Sequence, residues 1–179
     1  MFVGTLEPRK GLPTLLQAYR QARLAGVELP DLLLVGRWGW NVEELQVEVE
    51  LATLEGWCRV AGYVPQSALR QLYGRAEFLA FPSLYEGFGL PLLEAMHAGT
   101  PIVASDLPVT REVAGDSAIY ASPGDRDSWT EALRQLHSDA TLRESLSQAG
   151  IIRARGFRWE TAAQLTVEVF ETAARGERP

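Results

Sequence analysis

Several residue types are scarce in this 179-residue sequence, and each scarcity excludes a class of protein. The single cysteine, Cys58, cannot form an internal disulfide, which fits a reducing compartment. The two histidines, His97 and His137, are far apart and belong to no cluster with metal-ligand spacing. No apolar run approaches the ~18 residues that a membrane span needs, and no secretory signal opens the chain. A disulfide scaffold, a histidine metal centre and a transmembrane protein are therefore not predicted.

The charge balance is acidic, and lysine is almost absent. The net charge of −6 argues against a nucleic-acid partner, which normally requires a basic surface. The only lysine among 17 basic residues is Lys10, which follows Arg9. Lysine is a compact point charge that suits a phosphate oxygen. An arbitrary Arg-Lys step is usually a solvated surface pair, so the position of this one in the fold decides its meaning.

The order of apolar and helical segments predicts the fold. With 46% hydrophobic residues and this length, the chain is expected to form one globular domain. Short apolar runs alternate with helical periodicity. The predicted strands are 2–4, 32–35, 59–62, 78–81, 102–104 and 118–120. The predicted helices are 12–25, 42–56, 66–75, 91–98, 109–114, 126–137, 140–155 and 159–175. This pattern predicts an α/β fold with a doubly wound, parallel, six-stranded Rossmann-like sheet.

The topology of such a sheet brings two loops together. In the order 3-2-1-4-5-6, strands one and four are neighbours at the switch point, where ligands bind outside the carboxyl ends. The loop after strand one carries Arg9 and Lys10, and the loop after strand four carries Ser83 and residues 86–90. We therefore expect these two loops to form one site.

The segment from Glu86 to Glu94 has the chemistry of a phosphate and sugar site. The two carboxylates flank a Gly-Phe-Gly loop and Pro91, which suits the first turn of a helix. Glycines before a helix start allow backbone N–H groups to approach an anion. Carboxylates accept hydrogen bonds from hydroxyls. A ligand with both phosphates and hydroxyls, such as a nucleotide sugar, fits this combination.

The surrounding sequence, FPSLYEGFGLPLLEAMHAGTPIVAS, resembles the E-x7-E signature of retaining glycosyltransferases of the family 4 type (group 1), which use nucleotide sugars and have the GT-B fold. FVGTLEPRKG resembles the family's phosphate-binding loop, and GYVPQSALRQLYGRA resembles its base-side segment. GDSAIYASPGD and FRWETAAQ are also similar to family segments, so the resemblance covers nearly the whole chain.

The resemblance implies a role for each matching residue. Arg9 and Lys10 would hold the donor diphosphate, Glu86 would contact the transferred sugar, and Glu94 would bind the ribose. The implied catalytic residues are Arg9, Lys10 and Glu86. The implied donor-binding positions are Gly4, Arg9, Lys10, Tyr63, Val64, Ser83, Glu86, Gly87, Phe88, Gly89, Leu90 and Glu94.

The resemblance also implies a GDP- or UDP-sugar as donor and a hexose, mannose-like or glucose-like, as the transferred group. No metal or other cofactor is expected, because Arg9 and Lys10 would neutralise the leaving nucleotide. Trp38 and Trp40 form a local pattern that is similar to some mannosyl- and rhamnosyltransferases of the family. Packing of two loop aromatics on the sheet end explains them at least as well.

Family members have two domains, so residues 1–179 would be the C-terminal donor-binding domain, with the N-terminal acceptor-binding domain absent from this chain. The last helix would then lack its partner at apolar positions Leu165, Val169, Phe170 and Ala173. The chain alone would not transfer sugar. The expected location is cytoplasmic, with a peripheral position at the inner membrane face left open for the full-length protein.

Three other functions remain as alternatives. A NAD-binding oxidoreductase domain needs G-x-G-x-x-G after strand one, where this chain has Thr-Leu-Glu-Pro-Arg-Lys. A glycoside hydrolase places two carboxylates across the scissile bond and needs no phosphate loop. A degenerate, non-catalytic module for nucleotide sensing or scaffolding would tolerate loss of the charged residues, yet all four of Arg9, Lys10, Glu86 and Glu94 are present.

Overall fold

Six parallel strands form the centre of the protein, whose computed structural model describes residues 1–176. The strands are β1 (Phe2–Val3), β2 (Leu32–Val35), β3 (Cys58–Gly62), β4 (Leu79–Phe81), β5 (Ile102–Ser105) and β6 (Ala118–Ala121). Their hydrogen bonds form two parallel ladders, β1-β2-β3 and β4-β5-β6. The register pairs Phe2 with Leu34 and Leu79 with Ile102.

The two ladders join through Met1, and the strand order is the predicted 3-2-1-4-5-6. The Met1 nitrogen donates to the Phe78 carbonyl at 2.8 Å, and the Ala80 N–H donates to the Met1 carbonyl at 2.8 Å. The predicted six-stranded parallel sheet is confirmed, with one interruption of its ladder, because β1 is only two residues long and its pairing with β4 runs through the residue before it. The switch point between β1 and β4 lies where the topology predicts it.

Eight α-helices within residues 1–176 connect and cover the strands. They are α1 (Leu12–Leu24), α2 (Glu43–Leu54), α3 (Gln66–Arg75), α4 (Leu90–Ala98), α5 (Pro108–Ala114), α6 (Arg126–Ser138), α7 (Ala140–Ala154) and α8 (Trp159–Ala174). Two short 3-10 turns, Pro8–Lys10 and Gly115–Ser117, complete the regular structure of the described chain. Every predicted helix is present, with each end within two residues of its predicted position.

Each face of the sheet has its own apolar core. Helices α1, α2 and α6 supply one cluster, which includes Leu15, Leu45 and Trp129. Helices α3, α4 and α5 supply the other, which includes Tyr73 and Leu92. The central strands are therefore buried on both faces, which explains why their sequences are continuous apolar runs rather than alternating ones.

The last helix, α8, is different from the other seven, because none of its residues is buried. Its apolar side chains include Leu165, Val169 and Phe170, which are 57%, 50% and 68% exposed. A helix normally gains most of its stability by packing an apolar face. The apolar positions of this helix are thus exposed in the structure of this chain.

Candidate functional site

The loops that follow β1 and β4 are in direct backbone contact. The Leu84 N–H donates to the Arg9 carbonyl at 2.9 Å. Gly11 has φ = 65°, and a Cβ there would lie 2.0 Å from the Pro82 carbonyl oxygen. Glycine therefore permits an approach that no other residue allows at this position. The topological expectation that these two loops meet is confirmed.

This contact places two cations beside Glu86. Lys10 Nζ donates to Glu86 Oε1, and the buried Ser83 hydroxyl donates to the same oxygen at 2.7 Å. A guanidinium nitrogen of Arg9 lies 3.7 Å from Glu86 Oε2. The side chains of Lys10 and Glu86 are only 12% and 9% exposed, so this ion pair is largely shielded from water.

Arg9 has a second carboxylate partner that the sequence did not reveal. Its guanidinium donates to Glu7 at 2.6 Å and to the Tyr85 carbonyl at 3.0 Å. Glu7 is buried, with 7% of its surface exposed. Two cations and two carboxylates therefore compensate one another across the two loops.

The segment from 87 to 90 presents backbone donors next to this cluster. Gly89 has φ = 95° and precedes the first residue of α4, and Pro91 occupies the first turn. Within residues 1–176, no acceptor takes a hydrogen bond from the N–H groups of residues 87–90. These groups, at the positive end of the α4 dipole, can bind an anion. Phe88 and Leu90 are exposed, and the Phe88 ring packs edge-on against Phe157 with ring centres 6.2 Å apart.

Glu94 lies one turn further along α4 and has uncharged partners. The Tyr73 hydroxyl donates to Oε2 at 2.9 Å, and the Gln66 amide donates to Oε1 at 3.1 Å. Burial raises the pKa of the Tyr73 phenol far above its ordinary value, and the neighbouring Glu94 charge raises it further. Tyr73 is therefore a permanent neutral donor to this carboxylate.

The predicted base-side residues lie between β3 and α3. Tyr63 is 66% exposed, and the Arg37 guanidinium stacks over its ring at 4.8 Å. Val64 packs on the core cluster beneath α3 and α4. Because Gln66 begins α3 and reaches Glu94, this segment is connected directly to the α4 site.

Gly4 lies beneath the cations, at the carboxyl end of β1. A Cβ at this position would lie 3.3 Å from the Phe2 ring and 3.8 Å from Lys10 Cε. The nearby Arg37–Gly39 segment continues the pairing of β1 with β2, since the Gly39 N–H donates to the Leu6 carbonyl at 2.9 Å. Trp38 and Trp40 are exposed at this sheet end.

A comparison with protein families decides the affiliation of the chain. The family model described as "Glycosyl transferases group 1" matches residues 1–153. The chain belongs to this family. The predicted fold class, a doubly wound half of the GT-B fold, agrees with the family and with the structure.

Individual family relatives support this affiliation. The O-antigen chain mannosyltransferase B of Escherichia coli is 39% identical over 171 residues, covering 96% of this chain and 45% of the relative. The sucrose-phosphate synthase of Thermosynechococcus elongatus superposes with a TM-score of 0.82 at 26% identity, over 98% of this chain and 46% of that one.

A third protein, HepE of Anabaena, shares the fold at 22% identity, with a TM-score of 0.80 over 96% of this chain and 48% of its own length. Its structures contain UDP or UDP-glucose. The chain thus spans less than half the length of these relatives.

Two further observations on residues 1–176 concern membrane spans and metal sites. No helix among residues 1–176 is long and apolar enough to cross a membrane. The same residues contain no group of three or more His, Cys, Asp or Glu side chains arranged to hold a metal ion.

The predicted site residues thus form two neighbouring groups. Arg9, Lys10, Ser83 and Glu86 meet at the loop contact, and Glu94 lies with α3.

The sequence interpretation missed Glu7, Gln66, Tyr73 and Arg37. One signal was available: Tyr73 follows the apolar Leu69 by four residues, so its ring lies on the buried face of α3, where a tyrosine hydroxyl usually finds a partner.

Proposed function

We propose that this chain binds the nucleoside-diphosphate-sugar donor of a retaining glycosyltransferase. The enzyme would move a mannose-like or glucose-like hexose to a glycan, lipid or other acceptor. The observation that carries the proposal is the contact of Arg9 and Lys10 with Glu86, beside the unpaired N–H groups that precede α4. Together these groups offer cations, amide donors and a carboxylate at one sheet end.

The cations and amides suit the diphosphate. Arg9 provides a planar fork of donors and Lys10 a point charge, and both would neutralise the charge that develops on the leaving nucleotide. In the free protein Lys10 is engaged by Glu86. A phosphate oxygen would take the place of that carboxylate at Lys10, which leaves Glu86 available to the sugar.

The two carboxylates suit the hydroxyls of the donor. Glu94 would accept hydrogen bonds from the ribose, and Glu86 would accept them from the transferred hexose, whose glycosidic oxygen lies next to the diphosphate. The N–H groups of residues 87–90 would meet sugar and phosphate oxygens. The E-x7-E spacing suits this arrangement, because it puts one carboxylate before α4 and the other one turn inside it.

The sugar and base are proposed from the relatives. The E. coli relative is a mannosyltransferase, which favours mannose as the transferred sugar and GDP as the nucleotide. UDP is the second candidate, since HepE binds it with the same fold. Tyr63 and Val64 would lie against the base. Their contacts would come from backbone atoms, which discriminate little between different bases.

We further propose that a separate N-terminal domain supplies the acceptor site. The chain spans 45% of its E. coli relative, and the apolar side of α8 is exposed. Two concave surfaces of the described chain, about 450 and 320 Å³, lie elsewhere and are lined by none of Arg9, Lys10, Glu86 or Glu94. An open donor surface fits a site that another domain closes. Robust sugar transfer by the 179-residue chain alone would contradict this.

Calorimetric titration in metal-free buffer tests the donor proposal. The chain is titrated with GDP, UDP, dTDP and NAD, and the binding nucleotide is titrated again with Mg²⁺ present. We expect saturable binding of one nucleoside diphosphate, with unchanged affinity in Mg²⁺. Lys10→Ala should abolish it, while the matched control Arg59→Ala should not, because Arg59 is an exposed cation paired with Asp31 near the amino end of β3.

The outcomes separate the alternatives. Binding of NAD alone would favour a dinucleotide domain. No binding by the folded chain would leave a degenerate module or a site that requires its other domain, and the same titration of a two-domain protein would then distinguish these.

A further inference from the structure

A buried tyrosine reaches Glu94 from the neighbouring helix. Tyr73 is 1% exposed, and its hydroxyl is 2.9 Å from Glu94 Oε2. Its own carbonyl accepts a hydrogen bond of 2.9 Å from the buried Thr100 hydroxyl, which follows the end of α4. The apolar core therefore holds the Tyr73 ring, and Thr100, just after α4, holds its backbone.

The contact determines where the Glu94 carboxylate points. A glutamate side chain has several rotatable bonds, and an exposed one samples many rotamers. Each carboxylate oxygen can accept more than one hydrogen bond. Tyr73 occupies one acceptor position on Oε2 and Gln66 one on Oε1, which leaves capacity on both oxygens for a ligand with two adjacent hydroxyls.

The two donors differ in how firmly they hold the carboxylate. Gln66 is exposed, so water or a ligand can replace it. Tyr73 is buried and belongs, with Leu92 and Met96, to the apolar core on this face of the sheet. The rigid partner is therefore the tyrosine, and its high pKa keeps the donated proton on the phenol.

We propose that Tyr73 is a positioning residue that orients Glu94 toward the ribose hydroxyls of the nucleotide. This inference rests on the proposed function, because it assumes that Glu94 binds the ribose. It assigns to Tyr73 a part in ligand selection that acts through Glu94, without contact between the tyrosine and the ligand. Preorganisation of this kind improves binding by removing the cost of ordering the side chain on contact.

The test measures preference for ribose over deoxyribose. The wild-type chain, Tyr73→Phe and Tyr19→Phe are titrated with GDP and 2′-deoxy-GDP, and with UDP and 2′-deoxy-UDP. Tyr19→Phe is the matched control, because Tyr19 is a fully buried tyrosine whose hydroxyl has no hydrogen-bond partner among the described residues. The affinity ratio does not depend on the fraction of folded protein, since both ligands meet the same preparation.

We expect wild type and Tyr19→Phe to share one preference for the ribonucleotide, and Tyr73→Phe to lose about 3- to 10-fold of it. In a Glu94→Gln background, Tyr73→Phe should change the ratio much less, because the two substitutions act on one interaction. A merely structural tyrosine would lower the unfolding temperature without moving the ratio.

The outcomes distinguish this inference from the proposed function. Wild-type chain that binds nucleotide without a ribose preference would overturn the role of Glu94 and this inference with it. Absence of any binding would count against the proposed function of the isolated chain, and the ribose preference would then be measured on a two-domain protein with the same substitutions. A wild-type preference that Tyr73→Phe retains in full would overturn the inference alone.

Discussion

Glu86 and Glu94 are the same residue type on either side of the start of α4, but their surroundings are opposite. Glu86 is held by the Lys10 ammonium, with Arg9 near by and the Ser83 hydroxyl on one oxygen. Glu94 is held by the uncharged groups of Tyr73 and Gln66. In the proposed donor complex, the first carboxylate would exchange its cation for the diphosphate, whereas the second has no cation partner among the described residues to give up. Identical residues in one motif therefore predict unequal responses to mutation.

The largest effect is expected from Lys10→Ala, which removes the ion-pair partner of Glu86. Glu86 would be left largely shielded and without its closest partner, so the free energy of unfolding should fall by about 2–4 kcal/mol. Nucleoside-diphosphate binding should also disappear. Urea denaturation gives the stability, and calorimetry gives the affinity.

The double variant Lys10→Ala/Glu86→Ala sharpens this result. Removing both charges should restore much of the stability, because no unpaired charge remains, but should not restore binding. Equal stability loss in the single and double variants would show that Lys10 contributes by packing rather than by pairing with Glu86.

The second-largest effect is expected from Glu94→Ala, which removes the carboxylate that has only uncharged partners among the described residues. Loss of a charged acceptor should weaken nucleotide binding by about 1.5–3 kcal/mol. The chain should remain folded, as circular dichroism would verify, because no cation depends on this carboxylate for its partner among the contacts described above. Unchanged affinity in calorimetry would remove Glu94 from the site.

Glu86→Gln should strengthen the binding of a nucleotide that lacks the sugar, which is the opposite of the change expected for Glu94→Ala. Lys10 would no longer be held by a carboxylate, so GDP or UDP should bind about 0.5–1 kcal/mol more tightly than to wild type. The corresponding nucleotide sugar should lose the additional affinity that its hexose provides. Titration with the pair of ligands measures both quantities. A loss as large as that of Glu94→Ala would mean that the two carboxylates do not differ in the way proposed here.

The smallest effect is expected from Gln66→Ala, which removes the exposed partner of Glu94. Nucleotide affinity should change by no more than about 0.5 kcal/mol, because the tyrosine still holds the carboxylate and water replaces the amide. An effect as large as that of Tyr73→Phe, measured in the same titration series, would show that both donors orient Glu94 equally.

Much of the fold could be predicted because its signals are local. Apolar runs locate the strands, prolines and glycines locate helix ends, and a general rule of sheet topology brings Lys10 and Glu86 together. The partners of Glu94 and Arg9 could not be predicted in this way. Tyr73 reaches Glu94 only because of how α3 packs on α4, and Glu7 becomes buried only when the loop folds back. The short pairing between β1 and β4 likewise depends on tertiary geometry.

The contact of Gly11 with the Pro82 carbonyl has a consequence for protein engineering. Because one loop rests directly on the backbone of the other, the two cannot be exchanged independently between family members. Consider a chimera that receives a foreign loop after β1 but keeps its own loop after β4. Any difference between the foreign and native loop backbones would displace the lysine position from Glu86. A graft at this sheet end therefore requires both loops from the same parent, as a single module.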